Sequence, residues 1–259
     1  MDLKIKGRRA IVCASSKGLG KACALALARE GVQVFINGRN ADSLQLTVEE
    51  INRECSALAI PVIADVTTPE GRDVLLQACP QPDILINNAA GPPPGDFRDW
   101  DQSDWFSAIN ANMYSAIDMI KRTLDGMVER RFGRIVNITS VAVKMPVAEL
   151  GLSNGARAGL TGFVSGIARE PARHNVTINN LLPGYVATDR LRSLLAGRAQ
   201  AAGVNEEEYM LSFSQKIPAG RPGEPDEFGA ICAFLCSQQA AYLTAQNILM
   251  DGGVFPGTL

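Results

Sequence analysis

The sequence predicts a single α/β domain built around one doubly wound parallel sheet with helices on both faces. A chain of 259 residues with 46% hydrophobic residues is long enough for one large core. Short apolar runs alternate with longer helical patterns, which is typical of repeated βαβ units. Runs such as Asp83–Asn87 are apolar almost throughout, as expected for parallel strands that helices cover on both sides. These features predict a Rossmann-type architecture.

Seven apolar runs are predicted strands, and a helical pattern lies between most consecutive pairs. Two segments interrupt this alternation. The proline-rich segment Gly91–Gly95 is expected to form a stiff loop over the site, because consecutive prolines limit backbone freedom. Residues 187–215, before the last helix, are expected to form a helical insertion that closes over a substrate. The predicted strands are Ala10–Ala14, Val32–Asn37, Ala57–Ala64, Ile84–Asn87, Arg134–Thr139, Val176–Leu182 and Asn247–Met250.

Composition narrows the classes of partner. The formal net charge of -2 provides no broad basic field, which argues against nucleic acid and anionic membrane surfaces and favours a small-molecule ligand. The sequence contains no run of about 18 uninterrupted apolar residues, which argues against a transmembrane helix. Met1–Arg9 carries no secretory leader pattern. The six cysteines show no C-x-x-C spacing, so we expect a cytoplasmic protein with reduced thiols.

No metal site is expected. Cys232 and Cys236 are spaced to share a helix face, but metal binding would need further ligands. The only histidine, His174, is distant in sequence and lies at a predicted helix–strand junction. Two small buried side chains are therefore the favoured interpretation of the cysteine pair.

A glycine-rich turn follows the first predicted strand. Cys13–Gly20 leads directly into the helical run Lys21–Arg29. Such a turn lets backbone N–H groups and the helix dipole meet a pyrophosphate. Alone the pattern is weak, because Gly18 and Gly20 would also suit an ordinary turn.

The end of the second strand favours NADP(H) over NAD(H). Arg39 lies where an NAD-binding protein usually presents an acidic residue to the ribose 2′-hydroxyl, and no Asp or Glu occurs from Gly31 to Ala41. Lys17 adds a second cation, and paired cations suit a 2′-phosphate. The alternative is that both are solvated surface cations.

These motifs together resemble the short-chain dehydrogenase/reductase family over essentially the whole chain. The turn is similar to the family's T-G-x-x-x-G-x-G, with Cys13 and Ala14 in place of Thr and the first Gly, and Asn87–Gly91 is similar to N-N-A-G with one extra residue. The resemblance implies a nicotinamide cofactor, and Arg39 with Lys17 favours NADP(H). The residues that it and the turn pattern assign to cofactor binding are Ala14, Ser16, Lys17, Gly18, Leu19, Gly20, Arg39, Asp65, Val66, Asn88, Ala89, Ala90, Arg157, Pro183, Gly184, Val186 and Thr188.

The second half of the chain also carries family motifs. Trp105–Asn112 places Asn112 at the family's active-site Asn, and Gly133–Ser140 places Ser140 at its substrate-polarising Ser. Gly220–Phe228 and Asp251–Gly253 resemble its C-terminal signature. Family members are commonly homotetramers, so the resemblance implies self-association as a homotetramer or homodimer.

The catalytic Tyr and Lys of the family are replaced. Thirteen residues after Ser140 the chain has Ser153, and four residues later it has Arg157. An alkyl hydroxyl is a far weaker acid than a phenol, but it still donates a hydrogen bond to a substrate oxygen. A guanidinium keeps the positive charge but stays protonated, so it passes no proton onward.

Three candidates could supply the missing proton. Tyr185 is the preferred one, because it follows the Pro-Gly pair that the resemblance places near the nicotinamide, although an aromatic packing role is an equal alternative. A water chain through Asn112 and the side chain of Lys144 are the others. The predicted catalytic set is Asn112, Ser140, Ser153, Arg157 and Tyr185.

Four functions fit this pattern. The leading hypothesis is an NADP(H)-dependent oxidoreductase that acts on a carbonyl or conjugated carbonyl compound. The 2,4-dienoyl-CoA reductases of the same family also resemble this chain in having Ser at the Tyr position, so enoyl or dienoyl thioester C=C reduction is an alternative. An NADPH-binding pseudoenzyme and a non-redox enzyme of enolate chemistry are the others.

Overall fold

The computed structural model describes residues 1–55 and 59–258 and contains one parallel sheet, in the strand order β3-β2-β1-β4-β5-β6-β7. The order reverses between β1 and β4, and in sheets of this type ligands bind at the carboxyl ends of the strands beside that switch point. The strands are β1 (Arg9–Val12), β2 (Gln33–Gly38), β3 (Ala59–Ile63), β4 (Ile84–Asn87), β5 (Gly133–Ile138), β6 (Val176–Pro183) and β7 (Asn247–Met250).

The seven predicted strands and the doubly wound parallel sheet are confirmed. Six strands differ from their predicted bounds by at most two residues, and the start of the predicted third strand, Ala57 and Leu58, lies outside the described residues. The first strand ends at Val12, earlier than predicted, because Ala14 takes a φ of 45° and leaves the extended conformation.

Helices connect the strands and cover both faces. The predicted insertion at 187–215 forms two helices, α7 (Asp189–Ala202) and α8 (Glu206–Ser214). A π-helical turn, Asn110–Tyr114, joins α4 (Gln102–Ile109) to α5 (Ser115–Glu129) without a break in the helix direction. The helices are α1 (Gly18–Arg29), α2 (Ala41–Glu54), α3 (Pro69–Ala78), α4 (Gln102–Ile109), α5 (Ser115–Glu129), α6 (Gly151–Ile167), α7 (Asp189–Ala202), α8 (Glu206–Ser214) and α9 (Pro225–Cys236).

The core consists of one apolar layer on each face of the sheet. In β1, Ala10 and Val12 belong to the layer under α1, α2 and α9, whereas Ile11 belongs to the layer under α3, α5 and α6. This alternation is the period-two pattern of a strand with two covered faces. Cys232 and Cys236 are fully buried in the first layer, as predicted.

A ladder of asparagine side chains crosses the sheet from β4 to β7. Asn87 Nδ2 donates to Asn137 Oδ1 at 2.9 Å, Asn137 Nδ2 donates to Asn180 Oδ1 at 3.0 Å, and Asn180 Nδ2 donates to Asn247 Oδ1 at 2.8 Å. The parallel register aligns each pair directly. Because buried amides are costly without partners, this ladder fixes the relative position of the four strands.

The described ranges hold no helix that is long and apolar enough to cross a membrane. In the same ranges, no three His, Cys, Asp or Glu side chains are grouped to hold a metal ion. His174 ends the short 3₁₀ turn Pro171–His174 directly before β6, at the predicted junction.

Candidate active site

The turn after β1 is held by two asparagine side chains. Ala14 N donates to Asn37 Oδ1 at 3.1 Å, and Asn88 Nδ2 donates to Ala14 O at 3.0 Å. Asn37 Nδ2 also donates to Ala64 O at 2.8 Å, which ties the turn to the end of β3. These bonds keep Ala14 in the left-handed region that glycine usually occupies. Asn37 was missed in the sequence because it reads only as a strand residue.

Gly20 is required by the packing of this turn. A Cβ on Gly20 would lie 2.4 Å from Ala14 O and 2.9 Å from the Cα of Ser15, and both are backbone atoms that have little room to move. Ser15 is fully buried, and its Oγ donates to Val12 O at 2.6 Å and accepts from Asn37 N at 2.9 Å. The turn is therefore a preorganised backbone structure.

The start of α1 offers free backbone donors. Lys17 is the N-cap residue in an extended conformation, its side chain makes no capping bond, and the first turn of α1 carries no acidic residue. On the opposite side, the methyl group of Thr188 would lie 3.7 Å from a Cβ on Gly18. The loop after β6 therefore meets the turn after β1, and this pocket of N–H groups fits a pyrophosphate.

Two charged side chains lie where β2 and β3 end. Arg39 Nη1 is 3.5 Å from Asp65 Oδ2, and the Arg39 side chain is 72% exposed, so it is free to turn towards a ligand. Partial burial raises the pKa of Asp65, but hydrogen bonds from Thr67 and the charge of Arg39 outweigh it and hold that pKa below its usual value. Ser16, in the turn after β1, packs beside Gly38 at the end of β2, where a Cβ on Gly38 would lie 3.1 Å from Ser16 Oγ.

A small cavity beside β4 brings five predicted residues together. It is lined by predicted cofactor-binding and catalytic residues at once: Val66, Asn88, Ala89, Asn112 and Arg157. The π-helical turn directs Asn112 into it, and Asn112 Nδ2 donates to Ala90 O at 3.1 Å. In the described part of the chain the buried Asn112 Oδ1 has no hydrogen-bond partner.

Arg157 and Ser153 form the centre of the site. They share the buried face of α6, because they are four residues apart. Arg157 Nε donates to Ser153 Oγ at 3.1 Å, and Arg157 Nη1 donates to Ile138 O at 2.7 Å and Thr139 O at 3.1 Å. The guanidinium therefore connects Ser153 to the end of β5, next to Ser140. Burial, and secondly the charge of Arg190, lower the pKa of Arg157 to about 10.

The other predicted catalytic residues lie around this pair. Ser140 is half-buried and caps the short 3₁₀ turn Val141–Val143, where its Oγ accepts from Ala142 N at 3.1 Å. This bond uses an acceptor position of the hydroxyl and leaves its proton available. The Tyr185 ring instead packs edge-on against Phe213 of α8, with the centroids 4.8 Å apart. Lys144 lies over the Phe255 ring, 5.5 Å from its centroid.

The loop Pro183–Thr188 is fixed by the end of the sheet. Gly184 N donates to Met250 O at 2.9 Å, and a Cβ on Gly184 would lie 2.6 Å from the Cβ of Asp251. The buried Val186 forms a parallel bridge with Gly223. The motif pair at Gly220–Phe228 and Asp251–Gly253 therefore supports the loop that ends at Thr188.

The proline-rich loop and the insertion face each other across the mouth of the site. Gly95 N donates to Glu149 O at 2.9 Å, and Arg198 Nη2 of α7 is 3.3 Å from Glu149 Oε2. The Trp100 ring lies against Gly151 at the start of α6, where a Cβ would be 2.5 Å from the ring. An aromatic ring and helix α7 therefore border the segment just before Ser153.

Comparison with known proteins gives one consistent result. A family model described as "Enoyl-(Acyl carrier protein) reductase" matches residues 13–255. The chain is 33% identical to the "NADPH-dependent reductase BacG" of Bacillus subtilis (strain 168), over 95% of this chain and 97% of that protein. It is 31% identical to the "3-oxoacyl-[acyl-carrier-protein] reductase FabG" of Vibrio cholerae serotype O1, over 98% of this chain and 99% of that protein.

Solved structures agree with this result. The structure of L-sorbose reductase from Gluconobacter frateurii, in complex with NADPH and L-sorbose, superposes with a TM-score of 0.94 at 26% identity and covers 100% of both chains. YwfH, an NADPH-dependent reductase involved in bacilysin biosynthesis, superposes with a TM-score of 0.89 at 32% identity, over 96% of this chain and 99% of that one. The chain belongs to the short-chain dehydrogenase/reductase family.

Proposed function

We propose that the chain is an NADPH-dependent reductase of a carbonyl or conjugated carbonyl compound, in which two serine hydroxyls stabilise the negative charge that develops on the substrate oxygen. The observation that carries this proposal is the hydrogen bond from Arg157 Nε to Ser153 Oγ. Because Ser153 Oγ accepts a bond from a cation, its own proton is free to be donated to a substrate. The guanidinium also makes that hydroxyl a stronger donor.

The cofactor side rests on the turn after β1 and the ends of β2 and β6. The N–H groups at the start of α1 bind the pyrophosphate, and Arg39 and Lys17 bind the 2′-phosphate that distinguishes NADP(H) from NAD(H). When bound, NADPH supplies the hydride. We assign the nucleotide to the cofactor-binding residues predicted from the sequence. They include Ala14, Ser16 and Leu19 in the turn after β1 and Val186 and Thr188 after β6. Asp65, Val66 and Ala90 are assigned to the adenine and ribose.

The reduction itself separates into a hydride step and a proton step. As the hydride adds to carbon, the bonding pair of the C=O group moves onto oxygen, and Ser140 and Ser153 donate hydrogen bonds to that oxygen. Arg157 holds Ser153 in place and adds a positive charge, but it gives up no proton, because it remains charged at neutral pH.

The proton then reaches the oxygen by way of water. Of the three predicted sources, the geometry favours the route through Asn112: its buried Oδ1 has no partner in the described part of the chain, and it lines the same cavity as Arg157. A buried polar atom of this kind is satisfied by an ordered water. The Tyr185 ring packs against Phe213 of α8, so we assign Tyr185 the packing role that the sequence left open, against the insertion at 187–215.

A second candidate function is the reduction of a conjugated C=C bond. It is favoured by the replacement of the phenol by Ser153, because in a conjugated thioester the hydride goes to the distal carbon and the carbonyl oxygen needs only hydrogen-bond donors. The same two serines supply them. The substrate, and not the site chemistry, separates the two functions.

The test is a titration followed by a paired substrate panel. NADPH and NADH are titrated by intrinsic fluorescence, and NADPH oxidation is then followed with saturated ketones and with α,β-unsaturated thioesters. Selective NADPH binding with turnover of either panel supports a reductase and identifies the reacting bond. Binding without any turnover favours the pseudoenzyme, and turnover that persists without nicotinamide favours enolate chemistry.

We further propose that the protein self-associates as a homotetramer or homodimer in the cytoplasm. Exposed apolar side chains on α4 and the π-helical turn support the first part: Phe106 is 62% and Tyr114 51% exposed. Light scattering on the purified protein tests it, and a monomer would contradict it. The cysteines of the described chain are free thiols, which fits a reducing compartment.

A further inference from the structure

Arg190, which no motif singles out, reaches across the mouth of the site. It lies in the first turn of α7, and its guanidinium packs on the backbone of Gly91, where a Cβ would be 2.9 Å from Nη1 and 3.2 Å from Nη2. Its bond to Pro92 O is long, at 3.5 Å. The guanidinium of Arg190 therefore occupies the space that a side chain at residue 91 would fill. Its single long hydrogen bond, to Pro92 O, holds the guanidinium only weakly.

The site contains two guanidinium groups and no carboxylate that compensates them. Within residues 1–55 and 59–258, neither Arg157 nor Arg190 has an Asp or Glu oxygen within 4.0 Å. Glu149, the acidic residue beside Gly95 at the site mouth, pairs with Arg198 instead. No Asp or Glu lines the cavity that Arg157 faces.

Arg190 lies beside the loop that borders the cavity of Arg157, because Gly91 follows Ala90, whose carbonyl oxygen accepts from Asn112 Nδ2 in that cavity. Like charges repel, and the charge of Arg190 contributes to the lowered pKa of Arg157, second to burial. A negatively charged group placed between them would relieve this repulsion and form charge-assisted hydrogen bonds. A neutral ligand would leave it unchanged.

We propose that Arg190 binds a carboxylate of the substrate, so that the preferred substrates of this site are oxo acids and not neutral ketones. This inference rests on the proposed function, because it assumes that the substrate oxygen lies at Ser140 and Ser153. The pyrophosphate of the cofactor is the other anion that reaches this region. The carboxylate is favoured because Arg190 packs on Gly91, next to the Ala90 carbonyl that Asn112 of the cavity binds, whereas the pyrophosphate belongs at the N–H groups around Gly18.

The test measures equilibrium binding and needs no turnover. Acetate, 3-hydroxybutanoate, benzoate and cyclohexanecarboxylate are titrated against their carboxamides, with and without NADPH. Both tryptophans of the chain lie against α6, Trp100 at Gly151 and Trp105 at Gly155, so their fluorescence reports on the site. We expect at least one acid to bind about tenfold more tightly than its amide, a difference of about 1.4 kcal/mol.

Variants assign that preference to one side chain. Arg190→Gln should remove the preference for the acid and leave amide and NADPH affinities within about twofold, and Arg190→Lys should retain part of it. Arg192→Gln is the matched control, because it removes an exposed arginine from the same helix. It should change none of these affinities.

Three results would overturn the proposal: equal binding of acids and amides to the wild-type protein, an acid preference that survives Arg190→Gln, or a marked loss of NADPH affinity in that variant, which would assign Arg190 to the pyrophosphate. Failure of the proposed function is a separate result. It would appear as absent NADPH binding or absent reduction of the substrate panel. The ratio of acid affinity to amide affinity is measured on the protein without NADPH, so it tests the role of Arg190 in either case.

Discussion

The two ends of the candidate site are held by different kinds of interaction. In the cofactor half, which comprises β1–β3 with α1 and α2, the neutral side chains of Asn37 and Ser15 fix the backbone of the turn after β1. In the catalytic half, which comprises β4–β6 with α6, a buried cation, Arg157, joins Ser153 to the carbonyl groups at the end of β5. Hydrogen bonds between neutral side chains and the backbone therefore hold the first half of the site in place, and a buried positive charge holds the second half.

This difference explains why substitutions matter unequally. Ala14, which the sequence predicts to stand at a family glycine, adopts a left-handed conformation, because hydrogen bonds to its N–H and C=O groups hold its backbone. The sequence predicts that Ser153 and Arg157 stand where the family has its Tyr and Lys. On that prediction the chemistry changes, because a hydroxyl that donates only a hydrogen bond takes the place of an acid that could donate a proton. The following predictions test the contrast, from the largest expected effect to the smallest.

Removal of the serine hydroxyls should have the largest effect. Ser140→Ala and Ser153→Ala should each lower kcat by about 10²–10³-fold, because each removes a donor to the developing oxyanion. NADPH binding should stay within about twofold, since neither serine is among the residues that we assign to the cofactor. Ser165→Ala is the matched control on the same helix, where the hydroxyl bonds only to Thr161 O. Unchanged turnover in either active-site variant would remove that serine from the mechanism.

The charge at the end of β2 should decide between the two nicotinamide cofactors. Arg39→Gln should weaken NADPH binding by about 10–100-fold, because a hydrogen bond to a charged group contributes about 1.5–3 kcal/mol of binding free energy. It should leave NADH binding unchanged, because NADH has no 2′-phosphate. Arg53→Gln, an exposed arginine on α2, serves as the control. Equal losses for NADPH and NADH would show that Arg39 supports the loop and does not contact the 2′-phosphate.

Steric change in the turn should test the role of its backbone. Gly20→Ala should lower the free energy of unfolding by about 1–3 kcal/mol, because the added Cβ meets the backbone of Ala14 and Ser15, and it should weaken NADPH binding. Gly197→Ala is the opposite case, since nothing lies within 4 Å of its Cβ position in α7. It should stabilise the protein by about 0.5–1 kcal/mol. Urea denaturation measures both; a neutral Gly20→Ala would show that the turn is loosely packed.

The smallest effect is expected at Ala14. Ala14→Gly should raise the free energy of unfolding by less than about 1 kcal/mol, because the relief of a left-handed alanine is partly offset by the greater freedom of glycine in the unfolded chain. Ala201→Gly in α7, where φ is helical, should instead destabilise by about 1 kcal/mol. Destabilisation by Ala14→Gly would mean that the turn is not strained.

The sequence predicted the sheet well and the site in part. The alternation of apolar runs was sufficient for all seven strands, because the central parallel strands are buried along nearly their whole length and the edge strands β3 and β7 are partly buried. Family spacing located Ser153 and Arg157 on one helix, and the structure brings Arg157 to the same cavity as Asn88 and Asn112. These are positions that periodicity and spacing specify.

Other features depend on contacts that no local pattern contains. The asparagine ladder requires the register of four strands, and Asn87, Asn137 and Asn180 each lie in a different one. Arg190 is an ordinary exposed arginine in a helix until the fold places it on Gly91. The sequence favoured Tyr185 as the proton donor, whereas the geometry favours a water at Asn112, whose Oδ1 has no partner in the described part of the chain. The Tyr185 ring packs on Phe213, which belongs to the insertion at 187–215, and the sequence does not reveal how that insertion packs.

The central claim is that the catalytic half works with hydrogen-bond donors that do not titrate near neutral pH. The most direct test is the dependence of kcat on pH, at saturating NADPH and with the best substrate of the panel. Serine hydroxyls do not titrate in this range, and the pKa of Arg157, lowered by burial, is still about 10, so its charge persists below about pH 9. The account predicts a constant kcat from about pH 6 to pH 9. A sigmoidal or bell-shaped profile with an apparent pKa inside that range would reveal a titrating acid and contradict it.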